Sequence, residues 1–298
     1  MPALNARAVE VVRQAEIFFG SGDDLSADVV RAAARCLQAI RPAWRLRSRR
    51  SSDGSSWQPL SDKSLFADWD NAAADRFAHL ASAEDGRGCR LVVERLAPVL
   101  GVRRASSLRV TFPGDTGASE MVAFCRWILE VPFLWGTAGF VFERAPTWGF
   151  MVDDEPLYAR ARRLWCVQIL DPVLLRWDAL NGLPGTNWVT VLSPGFTAAH
   201  GLMLDDLCAA IESLAESGVH HLRGSQGIAI AGGDCPLLGD INIGDNIGPY
   251  LSTSRVLRLL LLTGASVHAG PLHYPERWRS WLLRFVEPQA WLAGIGRR

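Results

Sequence analysis

The sequence predicts an α+β fold in which an antiparallel or mixed β-sheet is flanked by helices. Of the 298 residues, 49% are apolar and 21% are charged, a balance that is typical of a globular chain with a large buried core. Segments with the spacing of strands and of helices alternate along the chain, and no low-complexity linker separates them. These observations favour a single α+β domain over residues 41–298, preceded by a helical extension over residues 1–40.

The N-terminal extension is predicted to contain two helices. Apolar residues recur at helical spacing from Ala6 to Phe19 and from Leu25 to Ile40, and the turn-like sequence GSGDD separates the two segments. The next segment, AWRLRSRRSSDGSSWQPL, is typical of a β-hairpin, because strand-like residues flank a Ser-Asp-Gly-Ser turn. Helical spacing returns from Asp62 to Ala83, so we expect a further helix there.

Strand–helix–strand units are predicted for the rest of the chain. CRLVVERL and SSLRVTF have the character of strands, and the second leads through the helical segment PGDTGASEMVAFCRWILEV to the strand GTAGFVFE. The later half repeats this order with NWVTVL, GFTAAHGLMLDDLCAAIESLAES and QGIAIAGG. The repetition favours two similar β-α-β halves, which a last helix from about Pro249 to Leu262 follows.

Charge and targeting signals argue against several classes of partner. The 31 basic and 31 acidic residues cancel, so the chain has no overall positive field that would recruit nucleic acid or an anionic membrane. The apolar run VLRLLLLTGASV is too short to cross a bilayer and contains Arg258. The N-terminal sequence lacks the pattern of a signal peptide, and the six cysteines include no C-x-x-C pair. We therefore expect a cytoplasmic protein that binds neither nucleic acid nor membrane.

The sequence GDCPLLGDINIGDNIGPY, at Gly233–Tyr250, is dense in aspartate and asparagine and suggests a calcium or magnesium loop. An EF-hand loop that starts at Asp240 would need an oxygen ligand at Gly244, a glycine at Asp245 and a glutamate at Leu251, so the match fails. We interpret the segment as a structural connection in which aspartates accept hydrogen bonds from backbone amides. No metal ion and no cofactor are expected.

The alternative is a metal-dependent hydrolase that uses the oxygen atoms of Asp234, Asp240, Asn242 and Asp245. Only the local density of oxygen ligands motivates it, because the sequence has no P-loop, no dinucleotide-binding glycine pattern and no nucleophile elbow. The neighbouring pair His220–His221 would point to opposite faces of a strand, which is unfavourable for joint metal ligation. We therefore predict no catalytic residues and a protein that is not an enzyme.

A partner-binding segment is predicted where aromatic and acidic residues occur together. In TWGFMVDDEPLY, Trp148 precedes Asp153, Asp154 and Glu155. Although most tryptophans are expected in the core, an aromatic anchor beside carboxylates suits a basic protein surface, such as a nuclease cleft that holds phosphates. In the alternative interpretation, these carboxylates mark the N-terminus of a helix and complement its dipole.

Several segments, taken together and in order, resemble a known family. They are GTAGFVFE, GTNWVTVLSPGFTAAHG, GGDCPLLGDINIGDNIGPYLSTSRVLRLLL and the ending WRSWLLRF. Their order is similar to that of the TsiV-like immunity proteins of bacterial type VI secretion, which neutralise VRR-type nuclease effectors. The positions that carry the resemblance are Asn187, Trp188, Gly239, Asp240, Asn242, Tyr250, Trp281 and Arg284.

The resemblance covers most of the chain from about Trp44 onward and has two departures. RRLWCVQILDP stands where the family has a run of arginine, aromatic, proline and glycine, and the first N-terminal helix is additional. The resemblance implies a cytoplasmic protein without turnover that binds a cognate toxin and blocks its active site. It also implies that a toxin gene, or an Rhs-type gene, lies directly upstream.

Overall fold

The fold is built on one antiparallel sheet that helices cover on both faces. The computed structural model describes residues 10–22, 24–49, 58–59, 69, 75–82, 88–143, 155–169, 172–214, 217–262 and 275–295. The strands are β1 (Glu10–Phe19), β2 (Arg47–Arg49), β3 (Gln58–Pro59), β4 (Arg76–Ala81), β5 (Arg90–Arg95), β6 (Ser106–Phe112), β7 (Trp135–Glu143), β8 (Val189–Leu192), β9 (Val219–Gly224) and β10 (Gly227–Gly232). The helices are α1 (Ala27–Ile40), α2 (Ala118–Ile128), α3 (Glu155–Arg163), α4 (Pro172–Asp178), α5 (Pro194–Ala199), α6 (Leu204–Glu212), α7 (Gly248–Leu257), α8 (Pro275–Val286) and α9 (Pro288–Ile295), with a 3-10 turn at Arg258–Leu260.

The ten described strands lie in the order β3-β2-β4-β5-β6-β1-β7-β8-β10-β9. Neighbouring strands pair in the antiparallel sense throughout this order. The predicted α+β class with an antiparallel sheet is therefore confirmed. The predicted hairpin is present as the pair β2–β3, in which Arg47 lies opposite Pro59.

Two split β-α-β units are visible in this order. Strands β6 and β7 both pair with β1, so they run parallel to each other on either side of it, and α2 connects them. Strands β8 and β9 both pair with β10, and α5 and α6 connect them in the same way. The element order expected for two halves is therefore found, although the parallel partner of β8 is β9 and not the predicted segment QGIAIAGG, which is β10.

Helices pack on the two faces of the sheet through aromatic side chains. On one face, Phe124 of α2 lies against Phe112 of β6, with ring centroids 5.9 Å apart. On the other face, Trp135 of β7 donates its indole N–H to the carbonyl oxygen of Ala179, just after α4, at 2.6 Å. Phe196 of α5 packs on the same indole at 6.4 Å. The central strands are therefore buried on both sides, and the core lies in two layers.

The helix predicted from Ala6 to Phe19 is wrong over its described part, because Glu10–Phe19 is strand β1. This strand pairs with both β6 and β7, so it lies inside the sheet. The sheet therefore contains residues from the predicted N-terminal extension, residues 1–40, as well as residues that follow it. A strand that is buried on both faces lacks the alternation of a surface strand, and its apolar residues then fit helical spacing as well. Ile17, Phe18 and Phe19 are all fully buried.

Two further predicted helices are also corrected. Between Asp62 and Ala83, residues Arg76–Ala81 form strand β4, which pairs with β2 and β5. The segment GFTAAHGLMLDDLCAAIESLAES forms two helices, α5 and α6, and not one. Gly201, at a φ of +73°, lies between them, in a conformation that glycine tolerates and that interrupts a helix. Strand β9 was not predicted, because its residues VHHLRG alternate poorly.

Helix α1 confirms the prediction for Leu25 to Ile40. The side chain of Ser26 accepts a hydrogen bond from the backbone N–H of Val29 and caps the N-terminus of the helix. An apolar stripe, which includes Ala33, Ala34 and Leu37, is buried against the core. The six cysteines are free thiols, and Cys89, Cys125, Cys166 and Cys208 are buried. In the described part of the chain, no helix has the length and apolar character needed to cross a membrane.

A carboxyl group is buried at the centre of the sheet. The side chain of Glu16, in β1, is inaccessible to solvent and accepts hydrogen bonds from Arg109 at 2.8 Å and from Gln14 at 3.1 Å. Removal from water disfavours the carboxylate and outweighs the attraction of the Arg109 guanidinium, so burial raises the pKa of Glu16 to about 7. Glu16 therefore binds its proton more tightly in the folded chain than in the unfolded chain.

This carboxyl group should make stability depend on pH. Because the folded-state pKa of Glu16 is raised from 4.5 to about 7, its contribution is complete below pH 4.5 and is lost as the pH rises towards 7. Urea unfolding of the parent and of Glu16→Gln across this range should give a difference in unfolding free energy that changes with pH. Glu130→Gln, at an exposed glutamate, serves as the control. A difference between Glu16→Gln and the parent that is constant with pH contradicts the assignment.

Candidate functional site

The partner-binding segment predicted from the sequence falls mostly outside the described residues. Trp148, Asp153 and Asp154 lie outside the described residues, whereas Glu155 is the first residue of helix α3. A helix therefore begins where the alternative interpretation of the acidic run placed one. The contact of these four residues with a partner stays a prediction.

The loop that suggested a metal site is a structural connection in which Asp240 is held by Arg163, the last residue of α3. The Nε atom of Arg163 donates to both carboxylate oxygens of Asp240, at 3.0 and 2.9 Å, and its Nη2 also donates. The hydrogen bonds from Arg163 lower the pKa of Asp240, and the backbone N–H of Asn242 donates to Asp240 as well, at 3.0 Å. The backbone N–H of Asp240 donates to Asp245 at 2.8 Å. The aspartates therefore satisfy local donors, as expected for a turn.

Asp234, the remaining acidic residue of this loop, makes none of the contacts described for Asp240. Asp234 is almost fully exposed and faces Nε2 of His220 at 3.3 Å. Over the described ranges, no three His, Cys, Asp or Glu side chains are grouped so that they could hold a metal ion. The two oxygens of Asp240 are already engaged by a guanidinium group, so the hydrolase alternative at Asp234, Asp240 and Asp245 has no support in the geometry.

The same loop is attached to residues Arg163–Gln168, which we call the anchor segment. The backbone N–H of Trp165 donates to the carbonyl oxygen of Gly239 at 2.8 Å, and the N–H of Cys166 donates to that of Leu238 at 3.1 Å. Gly239 has a φ of +64°, and a Cβ atom there would lie 2.5 Å from Sγ of Cys166. Only glycine fits this close approach and this backbone conformation. The anchor segment itself pairs with β7, where Gln168 and Phe140 share a backbone hydrogen bond of 3.0 Å.

Asn187 and Trp188 connect the start of β8 to the two segments that contact the anchor segment, which are β7 and the loop that contains Asp240. The Nδ2 atom of Asn187 donates to the carbonyl oxygen of Phe140 at 3.2 Å, and its Oδ1 accepts from the backbone N–H of Trp188 at 2.8 Å. The indole N–H of Trp188 donates to the carbonyl oxygen of Gly233, at the start of the loop, at 2.8 Å. Both side chains are fully buried. They hold the fold and do not form a surface.

Tyr250, Trp281 and Arg284 complete this arrangement from the C-terminal helices. The hydroxyl oxygen of Tyr250 accepts a hydrogen bond from the backbone N–H of Leu237 at 3.0 Å. Arg284 is fully buried and donates to the carbonyl oxygen of Trp165 at 3.0 Å, and its guanidinium carbon lies 3.3 Å from the ring centre of Trp281 in α8. Within the described residues Arg284 has no ion-pair partner, and burial holds its pKa well below the usual range.

The residues that carry the family resemblance therefore meet at one place, although they are spread over residues 187–284. Gly239, Asp240 and Arg284 contact the anchor segment directly, whereas Asn187 and Tyr250 contact its neighbours. All of these contacts hold backbone segments together, and none of them presents a reactive group to solvent. The anchor segment could not be predicted from the sequence, because Arg163 and Asp240 are 77 residues apart and nothing in either local sequence indicates the pairing.

Loss of the Asp240 pairing should weaken the fold. In Asp240→Ala, Arg163 and the backbone N–H group of Asn242 lose their acceptor, so the melting temperature should fall below that of the parent. Asp234→Ala removes a carboxylate from the same loop at an exposed position and should leave the melting temperature unchanged. Thermal unfolding followed by circular dichroism measures both. Equal melting temperatures for the two variants contradict the structural role of Asp240.

An exposed hairpin turn between β5 and β6 was not predicted from the sequence. Between β5 and β6, a tight hairpin turn exposes Val99, Leu100 and Val102, and Arg103 follows. The available signal was the sequence VLGV, in which a glycine occupies the second position of a two-residue turn. Leucine stands at the first position, where asparagine or aspartate is usual, and this concealed the turn.

Comparison with known proteins shows the fold of the chain. No protein-family model and no curated protein matches it. A solved structure, described as "Pseudomonas aeruginosa T6SS protein PA0821", superimposes with a TM-score of 0.66 at 16% sequence identity. The match covers 96% of this chain and 88% of that chain. The chain therefore shares its fold with a protein of a type VI secretion system over nearly its whole length.

Proposed function

We propose that this chain is an immunity protein of a type VI secretion system, which binds a cognate antibacterial toxin and neutralises it. The observation that carries the proposal is the fold shared with the Pseudomonas T6SS protein over 96% of the chain. The ordered segments that resemble the TsiV-like immunity proteins favour the same role, and they extend it to a nuclease toxin whose active site the chain covers.

The chemistry of the described residues supports a binding role without turnover. The polar residues of the family motifs are committed to holding backbone segments, as the pairing of Asp240 with Arg163 and the contact of Arg284 with Trp165 illustrate. A catalytic group must keep a lone pair or a proton accessible to a substrate. A rigid scaffold with occupied polar groups instead suits a protein whose task is to present a fixed surface to a partner.

The test uses the product of the gene directly upstream, which the proposal identifies as the toxin. Co-expression of the chain should restore growth to bacteria that produce the toxin. In a cleavage assay with purified components, inhibition should be complete at an equimolar ratio and should not increase with incubation time, since a binder acts by occupancy. If the chain covers the active site, an uncleavable nucleic-acid duplex should compete with it for the toxin.

Other outcomes exclude parts of the proposal separately. Toxin inactivation by far less than an equimolar amount of the chain indicates that the chain is an enzyme. Inhibition that a saturating duplex does not weaken keeps the immunity role but excludes occlusion of the active site. A toxin that neither binds the chain nor loses toxicity in its presence contradicts the proposed function.

A further inference from the structure

A rigid hairpin projects an apolar tip into solvent at residues 99–102. The backbone groups of Val99 and Val102 donate to each other's carbonyl oxygens at 3.1 and 2.9 Å, which leaves Leu100 and Gly101 as the two-residue turn. Leu100 is 99% exposed, and Val99 and Val102 are 40% and 55% exposed. We call these four residues the hairpin tip.

The conformation of Leu100 costs free energy that the fold does not recover. Its φ is +50°, in the left-handed region that glycine and asparagine adopt readily and that leucine avoids. Its side chain makes no compensating contact, because nearly all of its surface is exposed. A leucine that is strained and exposed is unfavourable for stability, so the residue type at this position is better explained by a contact outside the chain.

The base of the hairpin is held so that the tip has a fixed position. Arg104 donates from Nε to the carbonyl oxygen of Ala97 at 2.9 Å and from Nη2 to Asp75 at 2.6 Å. Asp75 also accepts from the backbone N–H of Ala97 at 2.9 Å. The guanidinium of Arg104 lies over the ring of Trp177 in α4, 5.6 Å from its centre. A tip that is fixed before binding loses little conformational entropy when it enters a pocket.

The charge beside the tip indicates what the partner presents. Arg103 is exposed and has no ion-pair partner in the described part of the chain. Together with Arg95 and Arg104 it lines an open cleft, and Asp24 contributes a carboxylate to the described part of the lining. Asp75 neutralises Arg104, and Arg95 is 2% exposed, so the positive charge that this edge presents to solvent beside the tip is that of Arg103. Complementarity requires carboxylates on the partner, close to the pocket that receives Leu100.

We propose that the hairpin tip is a docking element that inserts Leu100 into an apolar pocket bordered by carboxylates on a partner protein. The inference rests on the proposed function, in which that partner is the toxin. It places the contact at the end of the sheet where Leu134 precedes β7, since Leu134 lines the same cleft. The loop at Asp240 is attached near Phe140, towards the other end of β7. The hairpin tip and helix α3, which begins at Glu155, are therefore alternative contact surfaces.

The experiment measures binding of the purified toxin by three variants of the full chain. Leu100→Asn removes the apolar side chain and places at φ +50° a residue that tolerates it, so the melting temperature should equal or exceed that of the parent. Its Kd should rise at least about tenfold, as expected for the anchor of an interface. Arg103→Glu should slow association, and its association rate should depend less on salt than the parent's. Ile243→Asn, at a 74% exposed residue of the Asp240 loop, is the matched control.

The outcomes separate this inference from the proposed function. Tight binding by the parent and by Ile243→Asn, with weak binding by a folded Leu100→Asn, supports both. If the parent neutralises the toxin and Leu100→Asn binds within about twofold of it, the hairpin tip is not the docking element while the immunity role stands. Weak binding by Ile243→Asn alone moves the contact to the surface near α3. If the parent does not bind the toxin, the proposed function and this inference both fail.

Discussion

Replacing Trp188 by alanine should lower the free energy of unfolding by about 3 to 5 kcal/mol, because a fully buried indole is removed and a cavity remains. The variant also loses the hydrogen bond from the indole N–H to the carbonyl oxygen of Gly233, which is 2.8 Å long. That bond connects β8 to the start of the loop that contains Asp240. Urea unfolding of the parent and the variant, followed by far-UV circular dichroism, measures the loss.

Two control variants separate the contributions at Trp188. Trp188→Phe keeps most of the ring volume and removes the hydrogen-bond donor. It should lower the free energy of unfolding less than Trp188→Ala does, and the difference reflects the cavity that alanine leaves. Trp177→Ala truncates a tryptophan that is only half-buried and should cost less than Trp188→Ala. A loss below about 1 kcal/mol for Trp188→Ala means that the site collapses or that the ring is not packed as described.

Replacing Gly139 by alanine should destabilise the fold by about 3 kcal/mol, at the upper end of what overpacking costs. A Cβ atom at this position would lie 2.1 Å from Oδ1 and 2.6 Å from Cγ of Asn187, and the φ of Gly139 is +155°. Asn187 cannot move away freely, because it is buried and bonded to Phe140 and Trp188. Denaturant unfolding measures the effect.

A matched glycine and a double variant make this prediction specific. A Cβ atom at Gly195, in α5, would meet no atom within 4 Å, so Gly195→Ala should leave stability unchanged or increase it. In the double variant Gly139→Ala/Asn187→Ser, the shorter side chain makes room for the methyl group. Its loss of stability should then be smaller than the sum of the two single losses. Additive losses indicate that the backbone conformation, and not the contact with Asn187, requires glycine.

The period of the apolar residues predicted several elements that turn one face towards the core. Helices α1 and α2 and strand β5 were predicted correctly. In each of these, apolar residues recur at the period of the element because one face meets the core more than the other. Strand β1 was predicted as a helix because helices cover both faces of the sheet around it. A residue pattern reports how a segment is buried, and a segment buried on all sides gives no period.

The candidate sites also combine features that the local sequence predicted with contacts that it could not predict. The sequence of the loop at Gly233–Tyr250 excluded an EF-hand, and its interpretation as a structural turn agrees with the contacts of Asp240. The partner of that carboxylate, Arg163, could not be predicted, because an ion pair across 77 residues depends on how the anchor segment lies against the loop. The exposure of Leu100 could not be predicted either, since an isolated leucine is more often buried than exposed.

The sequence by itself determined the α+β class, the absence of an overall charge and the resemblance of its ordered segments to a family of immunity proteins. These properties depend on composition, local period and short motifs, which are independent of where distant segments meet. Only the tertiary structure decided that β1 lies inside the sheet, that the motif residues converge on Arg163–Gln168, and that the hairpin tip projects into solvent. Each of these follows from contacts between segments far apart in the chain, whose free energy no single segment contains.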